Sequence, residues 1–155
     1  MKQFKYFFLT LMIVMTGLSV KAATAEEVEN YKASVMSYLK MEGYFPKIDS
    51  DGDISFKHDG STYWVQITSY DDGYYVIVMT MTNIEGKSIN TVYRSINEVS
   101  RGLKYVKQTL SANEKIVTTE YDWYCISIND FKRMFSTALN VVAAADTRFI
   151  NAVNQ

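Results

Sequence analysis

Residues 44–82 read YFPKID-SDG-DISFK-HDGS-TYWVQITS-YDDG-YYVIVMTMT, and this stretch decides the fold. Four alternating segments, 44–49, 53–57, 62–69 and 74–82, are separated by short breaks that each carry Asp and Gly. Loops this short reverse the chain tightly, so the four segments are predicted to pair as an antiparallel meander. In 62–69, Tyr63, Val65 and Ile67 alternate with Trp64, Gln66 and Thr68, the period-two pattern of a strand with one buried face. Segment 74–82 is apolar on both faces, Tyr75, Ile77, Met79 and Met81 against Tyr74, Val76 and Val78. That pattern predicts a central strand covered on both sides. Pro46 has no amide hydrogen to donate, which places the first segment at a sheet edge or in an irregular entry.

Outward from the meander, Thr24-Ala25-Glu26-Glu27 has the form of a capping box. It opens a helix predicted over 25–42, with Val28, Tyr31, Val35, Tyr38 and Leu39 on one face and Gly43 at its end. C-terminal to the meander, Ile89, Val92, Tyr93, Ile96, Val99 and Leu103 follow a helical period over 88–102. A second hairpin, 104–110 and 116–126, turns at Ser111–Lys115, and a last helix spans 129–153. Its stripe is Phe131, Met134, Phe135, Ala138, Leu139, Val142, Ala145 and Phe149, and Val141 to Ala145 is apolar nearly all round. Such a helix is deeply buried or offers a face to something else. The order α-β-β-β-β-α-β-β-α segregates strands from helices, which is α+β with an antiparallel sheet packed by helices.

Lys2 and Lys5 precede an apolar run, Tyr6 to Val20, that ends in Val20-Lys21-Ala22 or Ala23-Thr24-Ala25. This is the layout of a secretory signal peptide. The run is shorter than the ~20 residues that span a bilayer as a helix. Residues 1–22 are therefore expected to be a cleaved leader, and 23–155 a single α+β domain. The protein is expected to be exported, periplasmic or secreted, with no stable membrane insertion after cleavage. The chain has 16 basic and 17 acidic residues, and three of the lysines fall in the leader, so the remainder is mildly acidic. With no basic block it is a poor nucleic-acid binder, because phosphate neutralisation supplies most of that affinity. Cys125 is the only cysteine, so no intramolecular disulfide forms and the core must stabilise the fold.

Candidate chemistry is sparse. Asp49-Ser50-Asp51-Gly52-Asp53 resembles the start of a calcium-binding EF-hand loop, but that loop needs Gly at its sixth position and Glu at its twelfth. Ile54 and Gly60 stand there instead, and the segment reads as a turn whose Asp side chains bond nearby amides. His58, the only histidine, sits at a strand end beside Asp59, and neighbours on a strand point to opposite faces. Cys125 alternates with Val117, Tyr121 and Trp123 and reads as a buried structural thiol. Gly52, Gly60 and Gly73 are isolated turn glycines, not a phosphate loop. No catalytic, metal or cofactor residues are assigned. The strands do carry an aromatic concentration: Tyr63, Trp64, Tyr70, Tyr74, Tyr75, Tyr121, Trp123 and Tyr124. Trp64, Tyr74, Trp123 and Tyr124 are the candidate interaction surface, because adjacent pairs put one ring on each sheet face.

The run Gly43-Tyr44 through Pro46 and Ile48-Asp49, then Gly52-Asp53-Ile54-Ser55-Phe56 and Asp59-Gly60-Ser61-Thr62-Tyr63, resembles the YbjN family. Tyr93-Arg94-Ser95-Ile96-Asn97-Glu98-Val99, ahead of the Lys-rich Lys104 to Lys107, is similar to that family's helix. The resemblance implies a fold like that of type III secretion chaperones and a habit of binding protein partners, without catalytic residues to carry over. The export signal sets this chain apart from cytoplasmic effector loading. The expected function is a non-enzymatic exported domain that binds a protein partner or itself as a homodimer. The alternative is a small-ligand or glycan sensor that uses an aromatic sheet face.

Overall fold

The computed structural model describes residues 22–155; the expected leader lies outside the described residues, apart from Ala22 at its end. Three helices and six strands follow the expected order: α1 (Ala25–Met41), β1 (Lys47–Ile48), β2 (Ile54–His58), β3 (Ser61–Tyr70), β4 (Gly73–Asn83), α2 (Ile89–Gly102), β5 (Lys107–Leu110), β6 (Ile116–Cys125) and α3 (Ile128–Val153). Thr24 and Glu27 form the capping box at α1, each side chain bonding the other residue's amide. At α3 the Asp130 carboxylate turns back to accept from the Ser127 and Ile126 amides and the Ser127 hydroxyl.

The strands form one antiparallel sheet in the order β1-β2-β3-β4-β6-β5. The first four are the meander, and the second hairpin adds its long strand, β6, beside β4, leaving β5 at the far edge. Two strands are shorter than the alternation suggests. The first shrinks from 44–49 to Lys47–Ile48, after Pro46, at the edge where a residue without an N–H is tolerated. The fifth begins at Lys107 instead of 104, because Tyr105 takes a φ of 66°, which no extended strand accommodates.

All three helices pack on one side of the sheet. Tyr31, Val35 and Leu39 of α1 join Phe131, Phe135, Ala138, Leu139 and Val142 of α3 over Ile54, Phe56, Tyr63, Val65, Ile67, Val76, Val78 and Cys125. A second cluster joins Val92 and Val99 of α2 with Ala145, Phe149 and Val153 of α3 over Val117. The near-continuous apolar circumference of α3 has its reason here: the helix is flanked by α1, α2 and the sheet at once. Its apolar stripe is buried, and the side left exposed is mostly polar, with Ser136, Asn140 and Thr147 on it. Phe131, Phe135 and Phe149 are fully buried along it, each contributing about 1.5–3 kcal/mol of burial free energy. Between the two clusters lies a polar row: Thr80 opposite Thr119, with Thr82 donating to the buried Asp146 carboxylate at 2.5 Å. Burial pushes the Asp146 carboxyl up from its ordinary range. No helix among the described residues is long and apolar enough to cross a membrane.

Candidate functional site: the uncovered sheet face

The register determines which side chains share a face. Tyr63, Val65 and Ile67 of β3 lie opposite Thr80, Val78 and Val76 of β4, which in turn lie opposite Thr119, Tyr121 and Trp123 of β6. These form the helix-covered side. The other side carries Trp64 opposite Met79, Gln66 opposite Ile77 and Thr68 opposite Tyr75, continued on β6 by Glu120, Asp122 and Tyr124. No helix residue belongs to either core cluster through this side, and Tyr75 and Ile77 at its centre are only half-buried. The expectation that β4 is covered on both faces is thus corrected. β4 is central within the sheet, but among the described residues nothing lies over its second face. Met79 is 92 % removed from solvent by its flanking strands rather than by a helix above it.

The four residues expected to form one surface divide between the two sides. Trp64 and Tyr124 are on the uncovered face. Tyr74 is on the covered one, its ring stacked on Tyr31 with centroids 3.9 Å apart and its hydroxyl donating to the Glu27 carbonyl at 3.4 Å. Trp123 packs against Phe131 at 5.8 Å and Tyr121 at 6.0 Å, and its buried indole N–H lies on the Cys125 side of the sheet. Sheet pleating is the physical reason: 74 and 75, or 123 and 124, cannot serve the same surface. Ile77, Met79 and Met81, which alternation puts on one face without saying that it is the open one, complete the uncovered face together with Asp122. The two-residue loop between Tyr70 and Gly73 is the cue that reveals them, because it pairs Ser69 with Tyr74 and so assigns every later β4 residue a side.

Toward the β3–β4 loop the face becomes aromatic and acidic. Tyr70 stands 6.1 Å from Tyr75 and 6.2 Å from Tyr124, ring centre to ring centre. The Tyr124 hydroxyl donates to the Asp72 carboxylate, and this bond, above all, pushes the phenol up to about 12. Gly73 is not a turn glycine but the first residue of β4. A Cβ there would meet the Cys125 carbonyl oxygen at 2.4 Å and the Tyr124 hydroxyl at 2.8 Å. Its missing side chain is what lets the Tyr124 ring lie close to the strand. The φ of 53° that the reversal needs is taken by Asp71 instead.

The other candidates stay separate from this face. Asp49 Oδ1 accepts from the Asp51 and Asp53 amides at 3.0 and 2.9 Å, so the acidic run is a turn. Among the described residues no group of three or more His, Cys, Asp or Glu is arranged to hold a metal. His58 Nε2 does reach Asp59 Oδ2, at 3.4 Å, contrary to strand alternation, because Asp59 has left the strand with a φ of 47°. Cys125 is fully buried, and burial pushes its thiol up. His58 lies level with Ser61 and Cys125 level with Ser69, a separation along the strands of roughly 26 Å at about 3.3 Å per residue. The two do not form a nucleophile–base pair. No family model matches the chain, and no curated protein and no solved structure is significantly similar to it.

Proposed function

We propose that this chain is a non-enzymatic, exported protein-binding domain whose working surface is the helix-free face of its sheet. The observation that carries the reading is the outer side of β4. Tyr75, Ile77, Met79 and Met81 form a continuous apolar line in the middle of the sheet, flanked by Trp64 and Tyr124, with no described element over it. A sheet that packs helices on one side ordinarily presents alternating polar residues on the other. An apolar, ring-bearing strip in that place has the composition of an interface core, with Thr62, Thr68, Thr118 and Glu120 as a polar rim. The leader-like N-terminus supports export. Kinship with the YbjN family, and with it a chaperone-like or regulatory role, belongs to the same proposal.

The test is site-directed photo-crosslinking in the native envelope. A photoreactive residue at Thr68 or Met81, on the open face, is expected to give a discrete adduct with another protein. The same residue at Ser136 or Asn140, on the exposed side of α3, is expected to give none. Equal labelling from both sides, or none from the sheet, rejects the reading.

A further inference from the structure

Resting on that reading, we infer that the partner inserts an arginine side chain into the tyrosine-lined end of the uncovered face, among Tyr70, Tyr75, Tyr124, Asp71, Asp72 and Asp122. The face is electrically lopsided. Its bases stand away from that end: Lys57 donates to the Thr62 hydroxyl at 2.5 Å, Lys107 pairs with Glu120 at 2.5 Å, and Lys47, opposite Ser55, shares the side. At the near end Asp71 and Asp72 form the loop and Asp122 lies opposite Ile77, one face-step from Tyr124. Asp53, also on this side, is excluded because Gln66 donates to it and Lys32 lies near it. The rings are accessible, Tyr70 being 62 % and Tyr124 39 % exposed.

The rings pack on one another, Tyr70 tilted by 49° to Tyr75 and edge-on at 77° to Tyr124, and their outward faces together with the carboxylates at this end form a complementary surface for a cation. Arginine fits it better than lysine. The flat guanidinium stacks on a tyrosine while its fork of N–H groups meets a carboxylate, whereas an ammonium is a hydrated point charge. Asp72 is already held by the Tyr124 hydroxyl, so it orients that ring, and the Asp71 and Asp122 carboxylates have no side-chain hydrogen-bond partner among the described residues. The apolar line Ile77–Met79–Met81 then continues from this end along the strand, giving the residues that follow the arginine an apolar track.

The experiment is a titration of the purified full chain, followed through backbone amide chemical shifts. One probe is the peptide acetyl-Gly-Arg-Gly-Arg-Gly-amide. The other is the same peptide with citrulline, which has arginine's shape without its charge. The expected result is saturable shifts at Tyr70, Asp71, Tyr75, Asp122 and Tyr124 with the arginine peptide, and affinity weaker by on the order of tenfold or more with citrulline. Tyr75→Leu is expected to weaken the arginine peptide roughly three- to tenfold, and Tyr70→Ala, at an exposed position, to do so without touching the core. Equal binding of the two peptides at these residues overturns the arginine inference while leaving the sheet face as a protein-binding surface. Shifts as large at Glu26, Glu29 and Asp51 as at the tyrosines overturn it as diffuse attraction to an acidic domain. Arginine methyl ester matching the whole peptide in affinity overturns the protein partner in favour of a small cation. An absence of shifts, whether because nothing binds or because a second copy already covers the face, overturns it too.

Discussion

Replacing Gly73 tests the geometry beneath the tyrosine cluster. An added Cβ would sit 2.4 Å from the Cys125 carbonyl oxygen and 2.8 and 2.9 Å from the hydroxyl and Cζ of Tyr124. The ring can swing aside, but the carbonyl belongs to β6 where it pairs with β4, so the strands must part by several tenths of an ångström at least. Overpacking of this kind costs about 1–3 kcal/mol. For a domain of this size that is a fall in Tm of roughly 3–10 °C. Gly60 supplies the contrast: its Cβ would meet nothing, but its φ is +83°. There the cost is conformational, about 1–2 kcal/mol for alanine, and asparagine, which tolerates the left-handed region, should recover most of it. Gly73→Asn should recover nothing, because the fault at 73 is space and not φ. Thermal unfolding by circular dichroism of Gly73→Ala, Gly73→Asn, Gly60→Ala and Gly60→Asn decides the matter. If Gly73→Ala melts within about 1 °C of the parent, or if asparagine rescues it, the close approach of Tyr124 and β6 to Gly73 is wrong.

Two further outcomes follow from buried groups. Asp146 is a carboxyl whose folded-state pKa is raised by burial, so it holds its proton more tightly folded than unfolded. The stability this gives is fully present below the unfolded pKa and is lost as pH rises through the folded one. Asp146→Asn keeps an acceptor for Thr82 and abolishes the loss. The variant should gain on the parent in urea-derived stability as pH climbs from acid toward neutral, and a pH-independent difference would refute the assignment. Cys125 is fully buried and its thiol is pushed up by burial, so it should resist a disulfide reagent at pH 8 in the folded protein. Labelling should keep pace with global unfolding in denaturant; rapid labelling of the native protein would show the thiol to be accessible and the covered face open.

Much of the fold was legible because local chemistry controls it. The Asp/Gly breaks, the Thr24–Glu27 box and the 3.6-residue stripe of α3 each act over a few residues, and the elements follow in the order their patterns implied, with only the first and fifth strands shortened. The candidate surface was legible only in part. Alternation told Trp64 from Val65, but β4 is apolar on both sides, and no local pattern tells a ring that packs on α1 from one that meets solvent. Tyr74 and Tyr75 carry the same side chain on opposite faces: one stacks on Tyr31, and the other stands beside Tyr70 on the helix-free side. Gly73 misled for a similar reason, since a glycine in a turn-like run looks the same whether φ or a neighbour's ring demands it.

By itself, then, the sequence determined the elements, their order, the antiparallel pairing of the meander and the burial of Cys125, since these depend on short-range turns and periodicity. Only the tertiary structure decided which face the helices cover. That choice depends on long-range packing, in which α3 draws α1 and α2 onto the same side and leaves Trp64, Ile77, Met79 and the three tyrosines on the other.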